Sequence, residues 1–164
     1  MTLQQKMLAK QSKKGFTLVE LVVVIAILAI LAAIAIPSVI GIINSASNSS
    51  GASNASQLDA ACKDFYAGVV SGTINNSNKG GVSASLPAAN AAKSTLKAAA
   101  GLLTVQSAVE YSGLTGQFDN TKIADYQYST TDGTITYVGE DGSVDAGNNA
   151  LAMNTTFSTI YPNA

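Results

Sequence analysis

In 164 residues the chain carries nine lysines and ten acidic residues, and it has no histidine, arginine or tryptophan. That inventory excludes a serine–histidine nucleophile, and the one cysteine, Cys62, excludes an intramolecular disulfide and a cysteine zinc site. The charges are segregated. Lys6, Lys10, Lys13 and Lys14 precede Gly15, and every acid follows it. A basic head on an acidic body is unsuited to neutralising phosphates, so no direct nucleic-acid partner is expected. The leading lysines read instead as the cytoplasmic flank of a membrane segment.

Residues 1–15, MTLQQKMLAKQSKKG, form a weakly amphipathic basic start. From Leu21 to Ile36 there is no polar residue, only Leu, Val, Ile and Ala, and from Phe16 onward the sole charge in the segment is Glu20. A helix over 16–36 would span about 31 Å at about 1.5 Å per residue, close to the hydrocarbon thickness of a bilayer. A lone carboxylate near its start is costly in lipid and needs compensation. Pro37 removes a backbone donor and crowds the preceding turn, which predicts a kink or local break near 33–37.

Residues 44–56, NSASNSSGASNAS, have the composition of a flexible linker. Leu58, Cys62, Phe65 and Val69 then recur as one helical stripe, and Gly72 closes it. One long helix from about 16 to 70 with a soft middle is favoured over two helices joined by a linker. Residues 72–86 read as a loop. Ser85 and Pro87 then predict a helix over Ala88–Leu103, which Gly101 could end early, and Thr104–Tyr111 predicts a short second helix ended by Gly113. From Ile123 the pattern becomes period two. Tyr126 and Tyr128, the Asp132-Gly133 turn, and Ile135, Tyr137 and Val138 predict a hairpin. Asp141-Gly142 marks another turn, and Thr155–Tyr161 is expected to supply a last strand. The fold class expected is α+β, with a long kinked N-terminal helix packed on a small C-terminal antiparallel β-sheet.

The run KKGFTLVELVVVIAILAILAAIAIP resembles the N-terminal signature of type IV pilins and of the pseudopilins of type II secretion and competence systems. The resemblance implies a leader at 1–15 with Lys13 and Lys14 as its basic residues, cleavage after Gly15 by a prepilin peptidase, and N-methylation of Phe16. It further implies a transmembrane and filament-core half-helix at 16–36, an amphipathic half at 37–71 and a globular head at 72–164, with Pro37 as the helix kink. The family's partners would be a homo-oligomeric helical filament, the peptidase, a cytoplasmic assembly ATPase, a platform protein and the membrane. No cofactor is implied. The precursor would sit as a single pass in the cytoplasmic (inner) membrane with its N-terminus cytoplasmic, and then enter an extracellular pilus or an envelope-spanning pseudopilus.

The residues give that signature a physical sense. Cutting at Gly15 frees a cationic amine at Phe16, four residues from Glu20. In a stack of subunits Glu20 of one chain can meet the Phe16 amine of its neighbour, and a dry ion pair penalises wrong register. The apolar helix supplies non-directional adhesion. An ordinary secretory signal with Ala33-Ile34-Ala35 as its cleavage site, or a plain anchor, would share the hydrophobic run but leave the Gly15-Phe16-Glu20 spacing unexplained. The leading expectation is a pilus subunit, and the alternative is a pseudopilin of a secretion or DNA-uptake machine.

Other positions carry less. Cys62 lies on the apolar stripe, where a thiol is packing, and no enzyme activity is expected. Asp141, Asp145 and Asn148 make an oxygen-rich loop, and some major pseudopilins hold calcium in a C-terminal loop. The spacing fits no calcium motif, so Asp141 and Asp145 are only weak candidates and a solvated turn is the expectation. Lys93 and Lys97 share a solvated helix face, and Tyr126, Tyr128 and Tyr137 are read as cross-strand packing.

Overall fold

The computed structural model describes residues 15–139 and 142–162. The fold is α+β: a long helix α1 (Leu18–Val70), short helices α2 (Lys93–Leu102) and α3 (Val105–Ser112), strands β1 (Tyr126–Ser129), β2 (Ile135–Tyr137) and β3 (Asn148–Ala150), and a last turn of helix α4 (Phe157–Ile160). The chain divides into two compact units at the Asn44–Ser45 boundary.

In the first unit, every described residue from Gly15 to Ile43 is exposed. Leu, Val and Ile side chains of this stretch stand 48% to 80% exposed. A helix apolar on all sides and exposed along this length fits a membrane anchor. Pro37 lies inside α1, which carries on past it without a break. The hydroxyl of Ser38 donates to the carbonyl of Ile34 at 3.5 Å.

The Ser/Asn-rich stretch is helical, so the single-helix reading holds. Its residues are poor helix formers, but extending an existing helix costs far less than nucleating a new one. The buried stripe starts earlier than the large side chains suggest. Gly51 and Ala55 join Leu58, Cys62, Phe65 and Val69. Gly51 is there for close approach: a Cβ built on it would lie 2.5–2.6 Å from ring atoms of Tyr137 in β2. The two small residues let the sheet approach the helix backbone, and the larger ones below them fill the core.

That core is aromatic at its centre. Phe65 packs on Tyr111 and Phe157 with ring centroids 5.3 and 6.1 Å apart, and Tyr66 packs on Phe157 and Tyr161 at 5.7 and 5.3 Å. Phe65, Cys62, Val105, Val109, Phe157 and Ile160 are fully buried around these contacts. The Cys62 thiol is therefore a packing element.

The second helix differs from expectation. It starts at Lys93, later than the Ala88 expected, and Ser85 caps nothing. Tertiary anchors hold the preceding segment out of the helix. Val82 and Leu86 are buried in the core, the Asn76 amide donates to the Pro87 carbonyl at 3.2 Å, and the Lys79 ammonium donates to the Ala84 carbonyl at 2.9 Å. Helix α2 ends at Leu102, just past Gly101, and packs on α4. The short helix α3 and its Gly113 end are as the sequence predicts.

Glu110 of α3 fastens the same loop. Its carboxylate accepts from the Ser83 backbone amide at 2.7 Å, from the Ser83 hydroxyl at 3.3 Å and from the Gln106 side-chain Nε2 at 2.9 Å. The Ser83 backbone bond leads in holding the Glu110 carboxyl below its ordinary range. A depressed carboxylate contributes stability that is present above its unfolded value and lost as pH falls through the folded value. Exchange protection of the Ser83 amide should therefore be full at neutral pH and fade below pH ~4, with Glu110→Gln flattening the profile. A pH-independent Ser83 amide in the native protein would refute this tie.

The sheet has the order β2-β1-β3, all antiparallel. The hairpin register pairs Tyr126 with Tyr137 and Tyr128 with Ile135. The Tyr126 and Tyr137 rings meet edge to face at 5.7 Å, so the tyrosines are packing, as expected. Two features depart from expectation. Thr155–Tyr161 is no strand: it makes a bridge at Thr156 to Thr104 and then the helical turn α4. Phe157 and Ile160 are three apart and both fully buried, a helical spacing that alternation would have split between faces. The third strand is instead Asn148–Ala150, which has no hydrophobic alternation and exists through its backbone pairing to β1.

Candidate functional site

At the head of α1, Gly15, Phe16 and Thr17 are not helical, and the helix begins at Leu18. The Leu21 amide donates to the Thr17 carbonyl at 3.2 Å, which is the first helical bond and makes Thr17 the N-cap. The Thr17 hydroxyl accepts from the Glu20 amide at 3.2 Å. In return, Glu20 Oε2 accepts from the Thr17 amide at 2.8 Å and from the Thr17 hydroxyl at 2.9 Å. This is a capping box, with each partner satisfying an amide that the helix start leaves open. In hydrocarbon or at its edge, an unsatisfied amide is expensive, so the box would be worth more there than in water.

The carboxylate that looked unaccompanied in the sequence thus has a partner within its own chain. Thr17 is the residue that sequence reading missed. Its signal was legible, because a threonine three residues before a glutamate, ahead of an apolar run, is the capping-box pattern. Phe16 stands 88% exposed just outside the helix, and the Gly15–Phe16 bond lies beyond the hydrogen-bonded turns. A Cβ added to Gly15 would meet nothing within 4 Å. Lys13 and Lys14 fall outside the described residues.

In the oxygen-rich loop, Asp145 is engaged by strand β1. Gln127, fully buried in central strand β1, accepts the Asp145 amide on its side-chain oxygen at 2.7 Å and donates its side-chain NH₂ to Asp145 Oδ2. Asp145 therefore serves to cover the second face of β1, and Asp141 lies outside the described residues. Among the described residues, no group of three or more His, Cys, Asp or Glu side chains could hold a metal ion. Lys93 and Lys97 are exposed on α2.

One helix among the described residues, α1, is long and apolar enough to cross a membrane, and it lies near the N-terminus. Residues 10–36 match the family model of the prokaryotic N-terminal methylation motif. Comparison with curated proteins and with solved structures gives no match for the chain. The matched stretch contains Gly15, Phe16, the Thr17–Glu20 box and the exposed apolar run up to Ile36. The chain carries the signature shared by the precursors of type IV pilins and pseudopilins.

Proposed function

We propose that this chain is the structural subunit of a type IV pilus. It is held in the membrane by residues 16–36, cleaved after Gly15, methylated on the Phe16 amine and polymerised into a surface filament. The observation that carries this reading is the contrast between the two units. Residues 45–139 and 142–162 bury a core of their own, and residues 15–43 bury nothing. Burying Leu, Val and Ile surface is worth about 25 cal/mol per Å², so an uncovered apolar helix of this length will be covered by lipid or by copies of itself.

Cleavage gives that helix a new head: a cationic Phe16 amine beside Thr17 and Glu20. In the filament, Glu20 pairs with the Phe16 amine of a neighbouring subunit and sets the axial register, and the apolar faces supply adhesion. The prepilin peptidase, an assembly ATPase and a platform protein are the partners this route requires. The self-contained head would form the filament surface.

The test is to shear cells that express the chain and analyse the released material. Long filaments whose subunit begins with N-methyl-phenylalanine at position 16 are the expected result. Processed subunit that stays in the envelope and never appears in a sheared filament would replace the pilus reading with that of a pseudopilin. Unprocessed chain would remove both.

A further inference from the structure

We propose that the Thr17–Glu20 box is the device that keeps the Gly15–Phe16 bond out of the helix and so presents it for cleavage. This inference rests on the precursor reading above. The cleavage is a hydrolysis in which the Gly15–Phe16 amide bond breaks. Water supplies the hydroxyl to the Gly15 carboxyl and the proton to the Phe16 amine.

Twenty-one residues from Phe16 to Ile36 include a single charge, and a membrane-length helix once formed extends cheaply at its ends. If α1 ran back across residues 15–17, the scissile bond would be enclosed in helical hydrogen bonds and would have to unfold before entering a protease cleft. The structure places the boundary two residues after that bond. The Thr17 hydroxyl takes the Glu20 amide at 3.2 Å, the amide that an upstream carbonyl would otherwise accept in a longer helix. The carboxylate holds the Thr17 amide at 2.8 Å and its hydroxyl at 2.9 Å, fixing the donor and acceptor on both sides. The Thr17 and Glu20 amides, two of the donors that a helix running one turn further back would use, are committed within the box. Phe16, 88% exposed, and Gly15 are left outside and accessible.

Thr17 is therefore a positioning residue for the cleavage, acting through backbone conformation. The experiment compares the full-length precursor in membranes with its Thr17→Ala and Thr17→Ser variants. It follows the initial rate of processing by a prepilin peptidase, and separately the backbone chemical shifts of residues 15–20 in the uncut chain in micelles. Loss of a side-chain cap corresponds to about a fivefold change in helix-end populations, so Thr17→Ala should be processed about fivefold more slowly. Its helical shifts should spread back to Phe16 or Gly15, and Thr17→Ser should restore both readouts.

Processing of Thr17→Ala at the native rate would overturn the inference while leaving the precursor reading intact. So would slow processing with an unchanged helix start, or slow processing that serine fails to rescue, because either would mean direct recognition of the threonine side chain. If the native chain is not cut between Gly15 and Phe16, the precursor reading itself fails.

Discussion

Glu20→Ala is expected to be cleaved after Gly15 much as the native chain is, and then to fall out of filaments, with incorporation reduced by at least about tenfold. Alanine removes the carboxylate but not the amide at position 20, so the Thr17 hydroxyl keeps the bond that caps the helix. What is lost is the proposed partner of the Phe16 amine in a neighbouring subunit, and a cation left unpaired among apolar helices is the large cost.

The capping box makes a sharper variant available. Glutamine at position 20 can still accept from Thr17, since a capping box takes Glu or Gln, but it carries no charge. Glu20→Gln should therefore keep the native helix start and processing, yet assemble as poorly as Glu20→Ala. Filament yield after shearing, scaled to processed subunit in the membrane, is the measurement. Native yield from Glu20→Gln would mean that capping, not charge pairing, is what assembly requires of this residue.

The second large effect lies in the hairpin turn between β1 and β2. Gly133→Ala should destabilise the head by about 3 kcal/mol, the sum of a left-handed backbone penalty and an overpacking cost. Gly133 has φ +73°, a conformation that a Cβ disfavours. The same Cβ would stand 2.5 Å from ring atoms of Tyr161 and 2.7 Å from the Ile160 carbonyl oxygen. A ring can swing aside, but a backbone carbonyl at the end of α4 cannot without undocking that turn. The near-UV signal of the tyrosines, followed on heating the full chain in detergent, should lose its transition about 10 °C earlier than in the native protein. An unchanged midpoint would show that the hairpin turn and α4 are not packed as described.

Tyr161→Phe is the control for this contact. It keeps the ring against Gly133, but it removes a hydroxyl that is buried and has no hydrogen-bond partner among the described residues. Its effect should be neutral or stabilising, because an unsatisfied buried hydroxyl costs about 1–3 kcal/mol. Contrasting outcomes at these two touching positions would separate steric loss from polar cost.

How far the sequence carries depends on the range of the interactions involved. The apolar segment from Leu21 to Ile36, the stripe of Leu58, Cys62, Phe65 and Val69, the Gly72 and Gly113 helix ends and the Tyr126–Tyr137 hairpin are set by residues within a few positions of each other. Periodicity, turn residues and helix-end chemistry report such features directly. The Thr17–Glu20 box belongs with them, since its whole pattern lies within four residues.

Other elements answer to partners far away in the chain. Asn148–Ala150 is a strand only because β1 offers it a free edge, and nothing in Asn-Asn-Ala favours extension. Ala88–Ala92 stays out of α2 because Val82 and Leu86 are anchored in the core and Glu110 holds Ser83, against a local preference for helix. Asp145 joined an oxygen-rich loop in the sequence, but in the fold it covers buried Gln127, a residue whose alternation in β1 had given no sign of burial on both faces. The sequence by itself determined the membrane-length helix and the chemistry at its head, where the forces are local. Only the tertiary structure decided the third strand, the start of α2 and the duty of Asp145, because each depends on a hydrogen bond or packing contact from a distant part of the chain.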